Sequence, residues 1–266
     1  QSSEHVHYMV EAEKRAYADR ALYLGDIDFV EVPVNKLISK EYAYNRFNYS
    51  SSHLSTSSYD LYDTLNFVDN ESEETTHYSI VDKLGNAISV TTTLNGWYGN
   101  GITVDGAGFL LNNEMDDFSS KPGEPNKYGL IGNEANSIAP NKRMLSSMTP
   151  TIVEDSNNDL FLILGSPGGS TIITTVAQII VNVIDFGMEI DEAVEQNRFH
   201  HQLLPDVIQL ERFTLGNDVI DNLISRGHDF IYRSKFGIGE ANCIMIRDDN
   251  YYGGADSRRN AKAVAY

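Results

Sequence analysis

The spacing of apolar residues changes character at Glu74-Thr75. Upstream, Gln1 to Tyr23 reads as an amphipathic helix, with Tyr8, Met9, Ala12 and Ala16 on one face and Glu11, Lys14, Arg15 and Asp19 outside it. Gly25 is placed to stop that helix. A loop through Asp26 to Val34 follows, then a short helix around Asn35 to Asn45. Ser50 to Glu74 holds Ser51-Ser52, Ser55-Thr56-Ser57-Ser58 and Glu71-Ser72-Glu73-Glu74, a composition that solvates rather than packs. It predicts an exposed, mobile linker.

From Thr75 the pattern predicts strands. His77 to Asp82 and Ala87 to Leu94 flank a turn at Lys83-Leu84-Gly85-Asn86. A glycine-rich bend leads to a short strand at Phe109-Leu110-Leu111, and a long Gly/Pro loop spans Ser119 to Pro140, the length of a functional cover. A second hairpin pairs Thr151 to Val153 with Leu160 to Leu164. Gly165-Ser166-Pro167-Gly168-Gly169 then opens a helix from Ser170 to Phe186, apolar at Ile172, Ile173, Val176, Ile179, Ile180 and Val183. A shorter helix capped by Asp191 runs to Asn197. Strand Val207 to Leu210, helix Asn217 to Arg226, strand His228 to Tyr232 and a hairpin around Asp248-Asp249-Asn250 complete the chain.

The 266 residues suffice for one large domain or two small ones, each with a real core. A formal charge of −18 argues against nucleic acid or an anionic membrane as partner, since both need basic patches. It is compatible with a secreted or periplasmic protein. One cysteine, Cys243 in an apolar run, excludes an internal disulfide and reads as a small buried hydrophobe. No run is long and apolar enough for a membrane helix, and the first residues do not resemble a signal peptide, as if the chain began in mid-protein.

Thr75 opens a strand behind a polar linker, so one cut would give it a free α-amine beside its own hydroxyl, a base and a nucleophile on one residue. Ordinary β-propensity accounts for a Thr-Thr pair equally well. The turn at Gly168-Gly169 could present N–H groups at a helix N-terminus to an oxyanion, or be plain structure. It lacks the lysine of a phosphate loop and the spacing of an esterase elbow. Glu114, Asp116 and Asp117 could hold an ammonium group or be a solvated turn, and no nearby histidine completes a metal set. Ser146-Ser147 could donate to a carboxylate. His200-His201, beside Arg198, reads as structural.

Taken together, Thr-Thr-His-Tyr-Ser, Thr-Leu-Asn, Leu-Asn-Asn-Glu-Met-Asp-Asp-Phe, Pro-Asn-Lys-Arg-Met-Leu-Ser-Ser-Met, Gly-Ser-Pro-Gly-Gly and Arg-Phe-His-His-Gln closely resemble the γ-glutamyltransferases (γ-glutamyltranspeptidases). Glu-Ala-Glu-Lys-Arg-Ala-Tyr-Ala-Asp-Arg resembles the end of that family's large subunit. The resemblance implies an α+β, N-terminal-nucleophile hydrolase fold, an αββα four-layer sandwich. It implies residues 1–74 as large-subunit tail with linker, residues 75–266 as small catalytic subunit, and self-cleavage between Glu74 and Thr75. Thr75 is then the nucleophile, Thr93 its orienting hydroxyl, and Gly168 and Gly169 the oxyanion donors. Asn95, Glu114 and Asp117 meet the substrate's α-amino end, Ser146 and Ser147 its α-carboxylate, and Tyr128 belongs to a lid. The implied donors are glutathione and other γ-glutamyl compounds, the acceptor water, an amino acid or a peptide. No metal or other cofactor is implied. The implied location is periplasmic or extracellular. A further arginine and large-subunit segment are expected upstream of residue 1 as a partner, and the sheet edge left uncovered without it is expected to favour self-association. A β-lactam side-chain acylase of the same family and a non-catalytic fragment are the alternatives.

Overall fold

A computed structural model describes residues 1–47, 53–62, 75–124, 126, 130–233 and 237–266. The chain divides into two compact units that interleave in sequence. One takes 1–71, 114–146 and 199–232, and the other 72–113, 147–198 and 233–266. This division concerns packing, whereas the boundary expected at 74/75 concerns cleavage.

The first unit is built on helix α1 (Ser3–Tyr23), which begins where Ser2 accepts a hydrogen bond from the His5 N–H. Two short helices, α2 (Val34–Leu37) and α3 (Lys40–Phe47), replace the single helix expected there; Ser39 between them caps α3 by accepting from the Tyr42 N–H. Helix α4 (Ser58–Leu61) follows. Val6 and Val10 pack with Phe199, Ile208, Leu210 and Leu223. These come from α1, a small sheet and α7 (Asn217–Ser225). In the sheet β5 (Phe199–His200) runs antiparallel to β6 (Ile208–Leu210), and β6 parallel to β7 (Phe230–Tyr232).

The face of α1 is the reverse of the one expected. Tyr8, Ala12 and Ala16 are exposed, while Glu11, Lys14 and Arg15 are buried. The charges are tolerated because each is paired. Arg15 bonds the Glu11 carboxylate at 2.8 Å, and Lys14 bonds Asp206 at 2.9 Å. The serine-rich stretch joins them: Lys14 donates to Ser55 Oγ and the Thr56 carbonyl, and the Thr56 N–H donates to Glu11. Ser55 to Ser58 therefore packs instead of solvating, and residues 50–52 and 63–74 of the expected linker lie outside the described residues. Gly25 does not stop the helix. Leu24 caps it in an extended conformation, and Gly25 is small because a Cβ there would lie 2.2 Å from the Ala135 carbonyl oxygen.

The second unit layers a hairpin, a sheet and two helices. Strands β1 (Thr75–Val81) and β2 (Ala87–Thr93) pair antiparallel from Thr75↔Thr93 to Val81↔Ala87. The sheet has the order β3-β4-β8-β9: Thr151–Glu154, Leu160–Leu164, Asn242–Arg247 and Asn250–Ala255. Leu162, Leu164, Cys243 and Met245 turn one face to α5 (Ile172–Ile184) and α6 (Ile190–Glu195), where Val176, Ile179, Val183 and Ala193 complete the core. Glu189 rather than Asp191 caps α6, through a reciprocal bond with Glu192. Phe109-Leu110-Leu111 is no strand; its ladder shrinks to one bridge, Thr103↔Leu110.

Candidate active site

In the second unit Thr75 is the first residue of β1 and sits directly opposite Thr93, the last of β2. Opposed residues of an antiparallel pair share a face, with Cβ atoms about 4.5–5.5 Å apart. That face is polar as far as Ser79: His77 and Ser79 follow Thr75, opposite Thr91 and Ser89. The His77 ring shares hydrogen bonds with Thr91 Oγ1 (2.8 Å) and Ser79 Oγ (3.1 Å). The Ser79 and Ser89 hydroxyls donate to the Asn242 and Leu164 carbonyls, both at 3.0 Å. Burial pushes the His77 pKa down to about 4, so the ring is neutral and structural. Thr93 Oγ1 accepts the Asn95 N–H at 2.9 Å, and the buried Asn95 amide donates to the Asn113 carbonyl at 3.2 Å. Asn95 adopts a left-handed φ of 69°, which asparagine tolerates.

The glycine turn joins the same strand. A Cβ at Gly165 would fall 2.3 Å from the His77 ring, so only glycine lets β4 end under it. Gly168 (φ 138°) and Gly169 (φ 57°) occupy backbone conformations that side chains disfavour. The Gly168 carbonyl accepts from the Thr171 N–H (3.1 Å) and hydroxyl (2.9 Å). No backbone carbonyl among the described residues accepts the N–H of Gly168 or Gly169. Successive N–H groups with positive φ, at the start of thirteen-residue α5, form a concavity suited to an anionic oxygen.

A second glycine segment backs this turn. A Cβ at Gly239 would lie 2.6 Å from both Ser166 Oγ and Thr175 Oγ1, and Ser166 accepts the Glu240 N–H at 2.8 Å. Buried Arg198 holds the segment by donating to the Ile238 carbonyl (2.7 Å) and pairing with Asp256 (2.9 Å).

The first unit carries the acids. Glu114–Asp117 is a short 3-10 turn. Burial, then the hydrogen bond and charge of Glu114, hold the Asp117 carboxyl up at about 8, while Arg20 pulls it down. Such a pair carries less than its full negative charge until a cation arrives. Arg143 ties the segment before Ser146 to Asp26, through its N–H at 2.7 Å and its guanidinium at 2.5 Å.

Thr75, Thr93, Asn95, Ser147, Gly168 and Gly169 thus belong to the second unit, and Glu114, Asp117 and Ser146 to the first. Glu74 and Tyr128 lie outside the described residues. His200 and His201 are buried. His200 bonds Gln202 at 2.9 Å, and Glu13 accepts the His201 N–H at 2.9 Å. Residue-type reasoning places Gly165 in the glycine turn and His77 in the strand but gives neither a role, and it misses Gly239; the close approach of His77 to Gly165 leaves no signal in the sequence.

His7, Glu11 and His228 bring three donor atoms within 4.8 Å of one another. Glu11 is already engaged by Arg15 and Thr56, Lys14 lies 3.8 Å from it, and the two rings bond each other at 2.9 Å. That is a folding network. A broad 720 Å³ cavity beside Glu154, Asp155 and Arg247 shares no residue with the expected site.

The gamma-glutamyltranspeptidase family description matches residues 1–266. The glutathione hydrolase proenzyme of Escherichia coli is 46% identical over 258 residues, 97% of this chain and 44% of that protein. The chain thus spans less than half the length of this relative. A mutant gamma-glutamyltranspeptidase structure from Helicobacter pylori is 54% identical, with TM-score 0.66, over 69% of this chain and all of that one. A cephalosporin acylase from Bacillus halodurans, 22% identical, superposes with TM-score 0.80 over the whole of this chain and 46% of its own, a likeness of fold alone.

Proposed function

This chain belongs to the γ-glutamyltranspeptidase family, with its α+β N-terminal-nucleophile hydrolase fold, and from that premise we propose that the protein transfers γ-glutamyl groups through Thr75. The observation that carries the reading is the strand register. It sets Thr75 against Thr93, while His77 links the same strand to the glycine turn.

Cleavage of the 74–75 peptide bond frees the Thr75 α-amine. An unperturbed α-amine has a pKa of roughly 7.7–8.0, which suits a base at neutral pH. The Thr75 hydroxyl attacks the γ-carbonyl of glutathione or a related amide, and its proton passes to the α-amine. Thr93 Oγ1 orients the nucleophile. The Gly168 and Gly169 N–H groups take the negative charge that develops on the carbonyl oxygen. Collapse breaks the amide C–N bond, the α-amine returns the proton to the leaving nitrogen, and a γ-glutamyl ester remains on Thr75. Water or the amine of an acceptor amino acid or peptide then attacks that ester and restores the hydroxyl.

The donor's head is zwitterionic and needs anions at one end and donors at the other. Glu114, Asp117 and Asn95 take the α-ammonium end, and Ser146 and Ser147 the α-carboxylate. Tyr128 serves in a cover over the site.

The test is Thr75→Ala in the full-length protein, followed by denaturing electrophoresis and γ-glutamyl-p-nitroanilide turnover. Neither cleavage nor turnover is expected, whereas Thr75→Ser retains part of both. An alanine variant that still matures would sink the assignment. Turnover of a glutaryl anilide in preference to the γ-glutamyl one would favour an acylase.

A further inference from the structure

Between the acids and the serines of the expected head-group site, one buried side chain reaches both segments. Asn136 closes a 3-10 turn, Glu134–Asn136, whose first N–H is capped by Asn133 Oδ1. It is 4% exposed. Its amide nitrogen donates to the Asp117 carbonyl at 2.7 Å, and its amide oxygen accepts the Leu145 N–H at 2.9 Å. The Ser119 N–H also donates to the Asn136 carbonyl at 2.9 Å, and Ser119 bridges to Ser137. The approach is tight, since a Cβ on Gly132 would sit 1.9 Å from Ser119 Oγ.

We infer that Asn136 is a positioning residue that holds Asp117 and Ser146 at a fixed separation, and so sets the site's fit to a γ-glutamyl head. The inference rests on the γ-glutamyl reading above. An asparagine amide is suited to this task because it offers a donor and an acceptor on one planar group. Here the donor meets the carbonyl of Asp117, the residue that ends the acidic turn, and the acceptor meets the N–H of the residue preceding Ser146. Asn136 itself touches no substrate. It lies in the 119–140 loop, so the same residue anchors that loop beside the acids.

An aspartate in its place keeps the acceptor for Leu145 but sets an oxygen against the Asp117 carbonyl. An alanine loses both bonds. Each lets the ammonium and carboxylate ends of the site drift apart, and displacements on the order of 1 Å cost up to roughly 100-fold. Head-group contacts are made in the ground state, so the loss falls on KM rather than kcat.

The experiment compares Asn136→Ala and Asn136→Asp with wild type in the full-length protein, measuring KM and kcat for γ-glutamyl-p-nitroanilide. KM does not depend on the fraction of folded enzyme, so partial misfolding does not mask the result. A rise in KM of roughly 10- to 100-fold, with kcat per cleaved chain nearly unchanged, is expected for both. KM within about threefold of wild type in either variant, or a fall in yield or kcat alone, overturns the inference. Wild-type protein without γ-glutamyl turnover would instead overturn the functional reading.

Discussion

Asp117 is the residue whose environment most constrains the proposed chemistry. Burial and Glu114 hold its carboxyl at about 8, so near neutral pH the pair keeps a proton that a cationic head must displace. Below that value donor binding releases a proton, and affinity falls as pH falls, by at most about tenfold per unit. We therefore expect KM for a γ-glutamyl donor to decrease as pH rises toward about 8 and then level off. The Thr75 amine acts on kcat instead, because it must be neutral to accept the hydroxyl proton. Asp117→Asn should raise KM at every pH and flatten its profile. A wild-type KM that stays level between about pH 5.5 and 8 would separate Asp117 from the donor's ammonium.

Among the elements, β1 and β4 decide whether the nucleophile strand stays aligned with the glycine turn. Their junction is the His77 ring over Gly165, with no room for a methyl group. Gly165→Ala should force the ring aside and break its bonds to Thr91 and Ser79, which share the face of Thr75. Overpacking of this kind typically costs about 1–3 kcal/mol. Turnover should drop by more than the loss in thermal stability explains, since the strand moves with the ring. A Gly165→Ala protein with wild-type melting temperature and rate would show the contact to be dispensable. Helix α1 teaches a different lesson. Its buried face mixes Val6, Val10 and Tyr17 with Glu11, Lys14 and Arg15, so apolar spacing alone does not find it.

The whole molecule carries several histidines that fold in the neutral form. Burial lowers His77 to about 4 and His200 and His228 to about 3, and lowers His201 as well. An unfolded histidine titrates near 6.5. Between that value and the folded ones the unfolded chain binds more protons, so stability is lost as pH falls. Glu13, Asp117 and Glu240 act oppositely: their raised folded pKa values make stability fall as pH rises from about 4. Four histidines outweigh three carboxyls, and paired acids such as Glu11, Asp206 and Asp256, all lowered, add to the loss at the acid end. The expected result is a melting temperature that falls steadily from pH 6.5 to 4, with a slope on the order of 1–3 kcal/mol per unit. Calorimetry across that range checks it; a constant or rising value on acidification would contradict the neutral, buried histidines.

Sequence alone determined what depends on neighbours close in the chain. The β1–β2 hairpin follows from alternation around a tight turn in which Gly85 takes φ 82°, and α5 from one continuous apolar stripe. The need for glycine at 168 and 169 follows the same local logic. Long strings of residues in order were enough to identify the family. Tertiary structure decided everything that needed a distant partner. Lys14 is buried because Asp206 and Ser55 reach it, and a hydrophobic pattern prices that lysine as solvent-facing. Gly165 is a glycine because of a histidine 88 residues earlier (165 − 77 = 88), and Asn136 gains its role from carbonyl and N–H groups on two other segments. Hydrogen bonds and close approaches of this kind leave no periodicity in the chain, because their period is set by the fold.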